Sequence, residues 1–267
     1  MNQYIITEFK RQLSSLILWT AIICGLSILM LSIYPTFKDS FSELEAMLDA
    51  FPPAILEVFG LGEGGLDMST PYGWYGMEGY LFVVLIGGSY AGILGSTILS
   101  QEEDDQTIEF LLSKPISRNQ ILFGKALVVI TNLIILNIIL FVTLLIAFSL
   151  IGDLIFLTTL LLVIGPFLLQ LIFASISFAI SIFVTKSRKV MSVSLGLVIG
   201  LFFLDIIATL TDELNFLKYI TPYEYVNAVS IVNNQTIDLI YLIISIAIII
   251  TSGFVTWFFY NRKDITI

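Results

Sequence analysis

Histidine is absent from the 267 residues, cysteine occurs once, and only 12% of positions carry charge. Without histidine, and with Cys24 alone, the usual zinc and transition-metal ligand sets cannot assemble. No intrachain disulfide can close, and an imidazole general acid or base is excluded. Cys24 lies in an apolar run, where a small buried side chain is expected. The scarcity of charge matters most. Soluble domains carry roughly 25% charged residues, whereas here 57% of positions are hydrophobic and the mean hydropathy is +0.98. No soluble fold has the interior to hide that much apolar surface. The alternative is a bilayer, whose hydrocarbon of about 30 Å is crossed by about 20 apolar residues at 1.5 Å each.

Uncharged apolar windows run over 15–34, 80–99, 127–151, 154–184, 190–210 and 239–260, which makes six expected spans and puts both termini on one side. The first is too long for a cleaved signal peptide and lacks a small-x-small site after it. The net charge of −9 argues against a nucleic-acid partner. Its distribution is more informative. Lys10, Arg11, Lys114, Arg118, Lys125, Lys186, Arg188, Lys189, Arg262 and Lys263 fall on one face of the expected topology, and only Lys38 and Lys218 on the other. Basic residues mark the cytoplasmic side, so both termini and the second and fourth connections are expected there, with 35–79 as an extracellular loop.

Local patterns refine this. Ile5, Ile6, Phe9, Leu13 and Leu16 recur at helical spacing beside Lys10 and Arg11, which predicts an N-terminal interfacial helix over 1–14 lying on membrane lipid. A plain extension of the first span is the competing reading. Gly165-Pro166 predicts a bend or break in the fourth span. Gly88-x-x-x-Gly92 and Gly196-x-x-x-Gly200 each put two glycines on one helix face, for packing within the chain or against a second copy. No internal repeat is evident.

The second connection, 100–126, begins with the acids Glu102, Glu103, Asp104 and Asp105, which suit a helix start. A short helix follows, with Ile108, Leu111 and Leu112 on one face, and Pro115 ends it. Ser117 then opens another helix, with Gln120 completing a capping box. The apolar face of the first piece needs a partner, either the span ends or a cytosolic protein.

Here the chain resembles a known family. Glu102, Glu103, Thr107, Glu109, Leu111, Leu112, Pro115, Ser117 and Arg118, followed by Gly124-Lys125, are similar to the signature of type-2 ABC exporter permeases, in particular peptide and antimicrobial efflux permeases. Gln106 departs from it where the family often has glycine, which leaves the local turn open. Phe51-Pro52-Pro53 through Phe59-Gly60 and Gly79-Tyr80-Leu81 are also similar to family members. The resemblance implies an all-α integral membrane fold in a single permease domain over 1–267. It has six transmembrane helices and a cytosolic coupling helix between the second and third spans. That helix, with Ile108 among its contact residues, would dock on a separate ATPase. Two ATPase subunits holding ATP and Mg, and a second permease chain as homo- or heterodimer, are implied partners. The implied setting is the cytoplasmic membrane of a bacterium. Substrates in the family include peptides, drugs and lipids.

The chain has no G-x-x-x-x-G-K-[ST] loop, since Ala126 follows Gly124-Lys125, so ATP chemistry and any cofactor are expected on the partner. In the outer loop, Phe41, Leu44, Leu48 and Phe51, then Ile55, Leu56 and Phe59, predict two short amphipathic helices split by Pro52-Pro53. The loop is acidic, either because topology removes bases or because a cationic substrate is attracted. Within the spans, Asn132, Asn137, Gln170 and Asp205 are candidate pathway residues. Interhelical hydrogen bonding for the three amides, and a water-reached interfacial position for Asp205, are the competing accounts. An ion-coupled transporter would need more intramembrane acids and repeat symmetry. A membrane-embedded enzyme would need converging catalytic groups, for which 102–105 is the only cluster.

Overall fold

The computed structural model describes residues 2–38, 52–61, 64–104, 117–184, 186–210 and 212–263. Six helices among the described residues are long and apolar enough to cross a membrane. In chain order the helices are α1 (Asn2–Phe37), α2 (Pro53–Val58), α3 (Pro71–Trp74), α4 (Tyr80–Asp104), α5 (Arg118–Ile151), α6 (Phe156–Phe183), α7 (Ser187–Leu210), α8 (Ala228–Asn233) and α9 (Leu239–Arg262). One π-turn, Tyr75–Gly79, joins α3 to α4, and 3₁₀ turns at Asp212–Tyr219 and Glu224–Val226 lie between α7 and α8. The expected all-α, six-span fold is what the chain forms.

Three boundaries differ from the sequence reading. Residues 2–14 are the first turns of α1, with no separate surface helix; at 1.5 Å per residue, 36 residues make about 54 Å, well beyond the hydrocarbon thickness. Ile5, Phe9 and Leu16 pack on the core, whereas Ile6 and Leu13 are exposed. The second span reaches back to Pro71, because Thr70 caps α3 by accepting from the Gly73 amide (3.0 Å) and the helical path continues through the π-turn into α4. The third begins at Arg118, so the helix opened by Ser117 is the start of the span itself.

The expected break at Gly165-Pro166 does not occur. Both residues are buried inside an uninterrupted α6, with Tyr80, Val226 and Ile231 packed against Gly165, the protein-buried setting in which proline is tolerated at membrane depth. Of the two predicted loop helices, the second is α2, entered through Pro53 at its first turn; Phe41–Phe51 lies outside the described residues.

α4 and α6 form the centre, α7 and α1 flank them, α5 packs on α1 and α6, and α9 leans on α6. Burial follows this order: 61% of the apolar window beginning at Pro71 is buried, against 11% for α9. Gly88 of α4 faces Leu169 and Phe173 of α6, and Gly92 faces Val198 and Ser177, so this glycine pair serves packing within the chain. Gly196 and Gly200 have nothing within 4 Å of where a methyl would sit. The exposed faces carry Ile17, Ile28, Phe203, Ile243 and Ile250, suited to lipid.

The two ends of the bundle are distinct. At one, Tyr4 and Ile5 pack on Gly124, Arg118 Nη1 donates to the Lys263 carbonyl (2.8 Å), Asn261 Nδ2 donates to Asn119 Oδ1 (2.9 Å), and Ser100 and Ser187 share a hydrogen bond (3.2 Å). Both terminal helices and the second and fourth connections thus gather at one end, called inner below. At the opposite, outer end, Trp74 Nε1 donates to the Met30 carbonyl (2.9 Å), the Tyr72 hydroxyl accepts from the Ile155 amide (2.8 Å), and the Tyr72 ring stacks on Phe148 at 4.1 Å.

Candidate coupling end and buried polar site

The candidate coupling segment lies in the chain between α4 and α5. Thr107, Ile108, Glu109, Leu111, Leu112 and Pro115 lie outside the described residues, whereas Glu102 and Glu103 belong to the last turn of α4. The re-entry point is sharply defined. Ser117 is extended, its amide donates to Gln120 Oε1 (2.9 Å), and its hydroxyl accepts from the Gln120 amide (3.3 Å), which is the expected capping box. Arg118, the next residue, reaches across to the end of α9. Lys125, one of the basic residues that mark the inner face and part of the motif, has a structural role that its sequence position does not show. It is buried, and its ammonium donates to the Ile98 carbonyl, tying α5 to α4 just inside the segment's two roots.

The amides divide. Asn137 Nδ2 donates to Gln170 Oε1 at 2.6 Å, joining α5 to α6, and also to the Leu133 carbonyl (2.8 Å). Gln170 lies against Gly87 of α4: a methyl there would sit 2.6 Å from Gln170 Nε2. Three helices therefore meet at Gly87, Asn137 and Gln170, and the glycine makes room for the amide. Asn132 stays apart, donating to the Val128 carbonyl of its own helix (2.8 Å). All three amides are buried.

Asp205 sits elsewhere, five residues and about 7.5 Å before the outer end of α7. It lines an outer cavity with Glu57, Glu78 and Tyr223. Tyr223 belongs to a turn the window reading passed over. The Thr221 hydroxyl donates to the Leu201 carbonyl (3.2 Å) and the Tyr223 hydroxyl to that of Val198 (3.3 Å), about 18 Å down α7 from Leu210. The Tyr223 ring packs against Phe173 and Phe202 at 5.6 and 5.4 Å. Burial, then the charge of Asp205, push the Tyr223 phenol up and keep its proton on. Irregular backbone at membrane depth requires such protein cover, or a cavity to line. The available signal was Thr221-Pro222-Tyr223-Glu224-Tyr225, aromatic-rich residues between two apolar windows.

Six apolar helices among the described residues, with buried polar contacts between them, define a multi-pass helical membrane protein. Gly124-Lys125 is no phosphate loop, since both residues lie within α5 and Lys125 is turned into the protein. The model of the ABC-2 family transporter protein matches residues 4–265, nearly the whole chain, and the protein belongs to that family. It is the membrane subunit of an ABC transporter, and the family implies partnership with an ABC ATPase. Comparison with curated proteins finds no match.

Proposed function

We propose that this chain is the permease of an ATP-driven exporter that carries an amphipathic or hydrophobic peptide out of the cell. Two ATPase subunits bind ATP and Mg on the cytosolic side, and a second permease chain completes the pathway. The inner end, where ten of the twelve basic residues were expected, faces the cytosol. ATP binding draws the ATPase subunits together and displaces the 107–113 segment. That segment leaves α4 at Asp104 and re-enters at the Ser117 cap, with Lys125 bridging the two helices behind it. A push there is delivered to both helices together, and α4, packed along α6 and α7, passes it to the core.

The observation carrying this reading is the family match across the chain. Its test is to tag the C-terminus, solubilise in mild detergent, and identify what co-purifies. Near-equal recovery of a Walker-motif ATPase is expected; its reproducible absence from an intact, active preparation overturns the reading. Cells expressing both subunits should export a labelled amphipathic peptide on ATP supply. Export of a drug or lipid with no effect on peptide would replace the substrate assignment.

A further inference from the structure

A cavity of about 310 Å³ lies at the outer end between α2, the π-turn, α4, α7 and the turn bearing Tyr223. That is the lower end of the range for small-molecule sites. Its walls are largely apolar and aromatic, with Phe59, Phe202 and Tyr223 among them. Glu57, Glu78 and Asp205 reach it from three separate elements, and no lysine or arginine lines it among the described residues. Glu57 is exposed, while Glu78 and Asp205 are half-buried; the Asp205 carboxylate is within hydrogen-bonding reach of the Thr221 side chain and the Glu224 backbone, which leaves its buried Oδ1 without a well-formed bond among the described residues. Glu224 lies within electrostatic reach of Asp205, and Lys218 is the one cation that does. None of the cavity's acids forms an ion pair among the described residues. The outer segments supply only Lys38 and Lys218 as bases.

This excess of negative charge, set in an apolar wall, defines the ligand's sign. Its spacing limits the ligand's type. Among the described residues no three carboxylates come together as a metal site, whereas a hard cation such as calcium takes six to eight clustered oxygens. Dispersed carboxylates over aromatic faces match a cation with a diffuse charge and an apolar body, which the rings also attract.

We propose that this cavity binds lipophilic organic cations, whether small molecules or the ammonium- or guanidinium-bearing residues of an amphipathic peptide. The inference deepens the export reading and rests on it only for the direction of movement.

The full chain, reconstituted without ATPase in nanodiscs of zwitterionic lipid, would be assayed by equilibrium dialysis, with empty nanodiscs subtracted. The probes are tetraphenylphosphonium and its near-isosteric anion tetraphenylborate. Saturable binding of one cation per chain, with no saturable anion binding, is expected. Glu78→Gln and Asp205→Asn should each weaken the cation by about tenfold, and Glu57→Gln, at an exposed position, gives a variant whose folding is not in question. Val229→Trp, which fills the cavity and keeps every carboxylate, should abolish binding. Competition by a lysine-bearing amphipathic peptide would assign the peptide source; lack of competition would confine the site to small cations. Equal saturable binding of both probes, or unchanged cation affinity in a well-folded chain with all three carboxylates neutralised, overturns the proposal. Because no ATPase is present, that failure is separate from failure of the exporter reading.

Discussion

Gly95 gives the sharpest test of the packing. A methyl at this position of α4 would overlap the Ala174 carbonyl of α6, with the Ala174 carbonyl carbon and Cα each at 3.0 Å. The obstacle is backbone, which cannot rotate aside, so Gly95→Ala must push the two central helices apart. Overpacking of this kind costs about 1–3 kcal/mol, and the gain in helix propensity from glycine to alanine returns about 1 kcal/mol. A net loss of about 0–2 kcal/mol follows, with the upper half of that range expected because the clash is with main chain. Two other glycines calibrate the number. At Gly88 the neighbours are side-chain atoms of Leu169 and Phe173 at 3.1 Å, which can yield, so Gly88→Ala should be close to neutral. At Gly196 nothing lies within 4 Å, so Gly196→Ala should keep the propensity gain of up to about 1 kcal/mol. The assay is equilibrium unfolding of the monodisperse chain in mixed micelles, followed by tryptophan fluorescence from Trp19, Trp74 and Trp257. The predicted order of stability is Gly196→Ala, then Gly88→Ala, then Gly95→Ala. A Gly95→Ala chain as stable as the wild type would refute the direct contact of α4 and α6.

Three further outcomes are expected. Leu112→Asp or Glu109→Lys should uncouple transport while leaving membrane insertion intact, and normal export by both at normal expression would remove the lever from 107–113. Asn137→Ala should cost about 1–3 kcal/mol by stranding Gln170, and a double-mutant cycle with Gln170→Ala should return a coupling of about 0.6 to 1.7 kcal/mol; zero coupling would mean the 2.6 Å contact contributes nothing. Gly196→Leu with Gly200→Leu, on the open face of α7, should reduce permease pairing in a cross-linking assay without lowering the stability of the single chain, and undiminished pairing would place the second copy elsewhere.

Most of the architecture was legible because hydrophobic length is a strong signal: the windows at 15–34 and 239–260 lie wholly within α1 and α9. Errors arose where the path stayed helical through residues a hydropathy window discards. Thr70 and Pro71 look like loop yet start a span, and Ser117 to Ala126, rich in polar residues, belongs to α5. Gly165-Pro166 does not break α6: sequence shows a missing donor but not the protein packed around it. The three amides stood out as polar residues within apolar windows, but spacing along separate helices cannot reveal that Asn137 meets Gln170 and Asn132 does not. Nor could it show that Gly87 makes the pocket for that amide. The aromatic-rich Tyr223 segment stood out, but its docking did not, for a related reason: its support comes from carbonyls and Phe202 of α7 and from Phe173 of α6, distant in sequence.

The centrality of α4 and α6 constrains how the protein is made. α5 lies between them in the chain, so during biogenesis Asn137 reaches the translocon ahead of Gln170, and the glycine faces of α4 remain without their mate until α6 follows. The core closes only after α6 has left the translocon, and α9, leaning mainly on α6, is added to a bundle already assembled. Truncation after α7 should therefore leave an insertable core, whereas a stop between α5 and α6 leaves three spans, α1, α4 and α5, with Asn132 and Asn137 lacking the cover of α6, the species a membrane quality-control protease would remove.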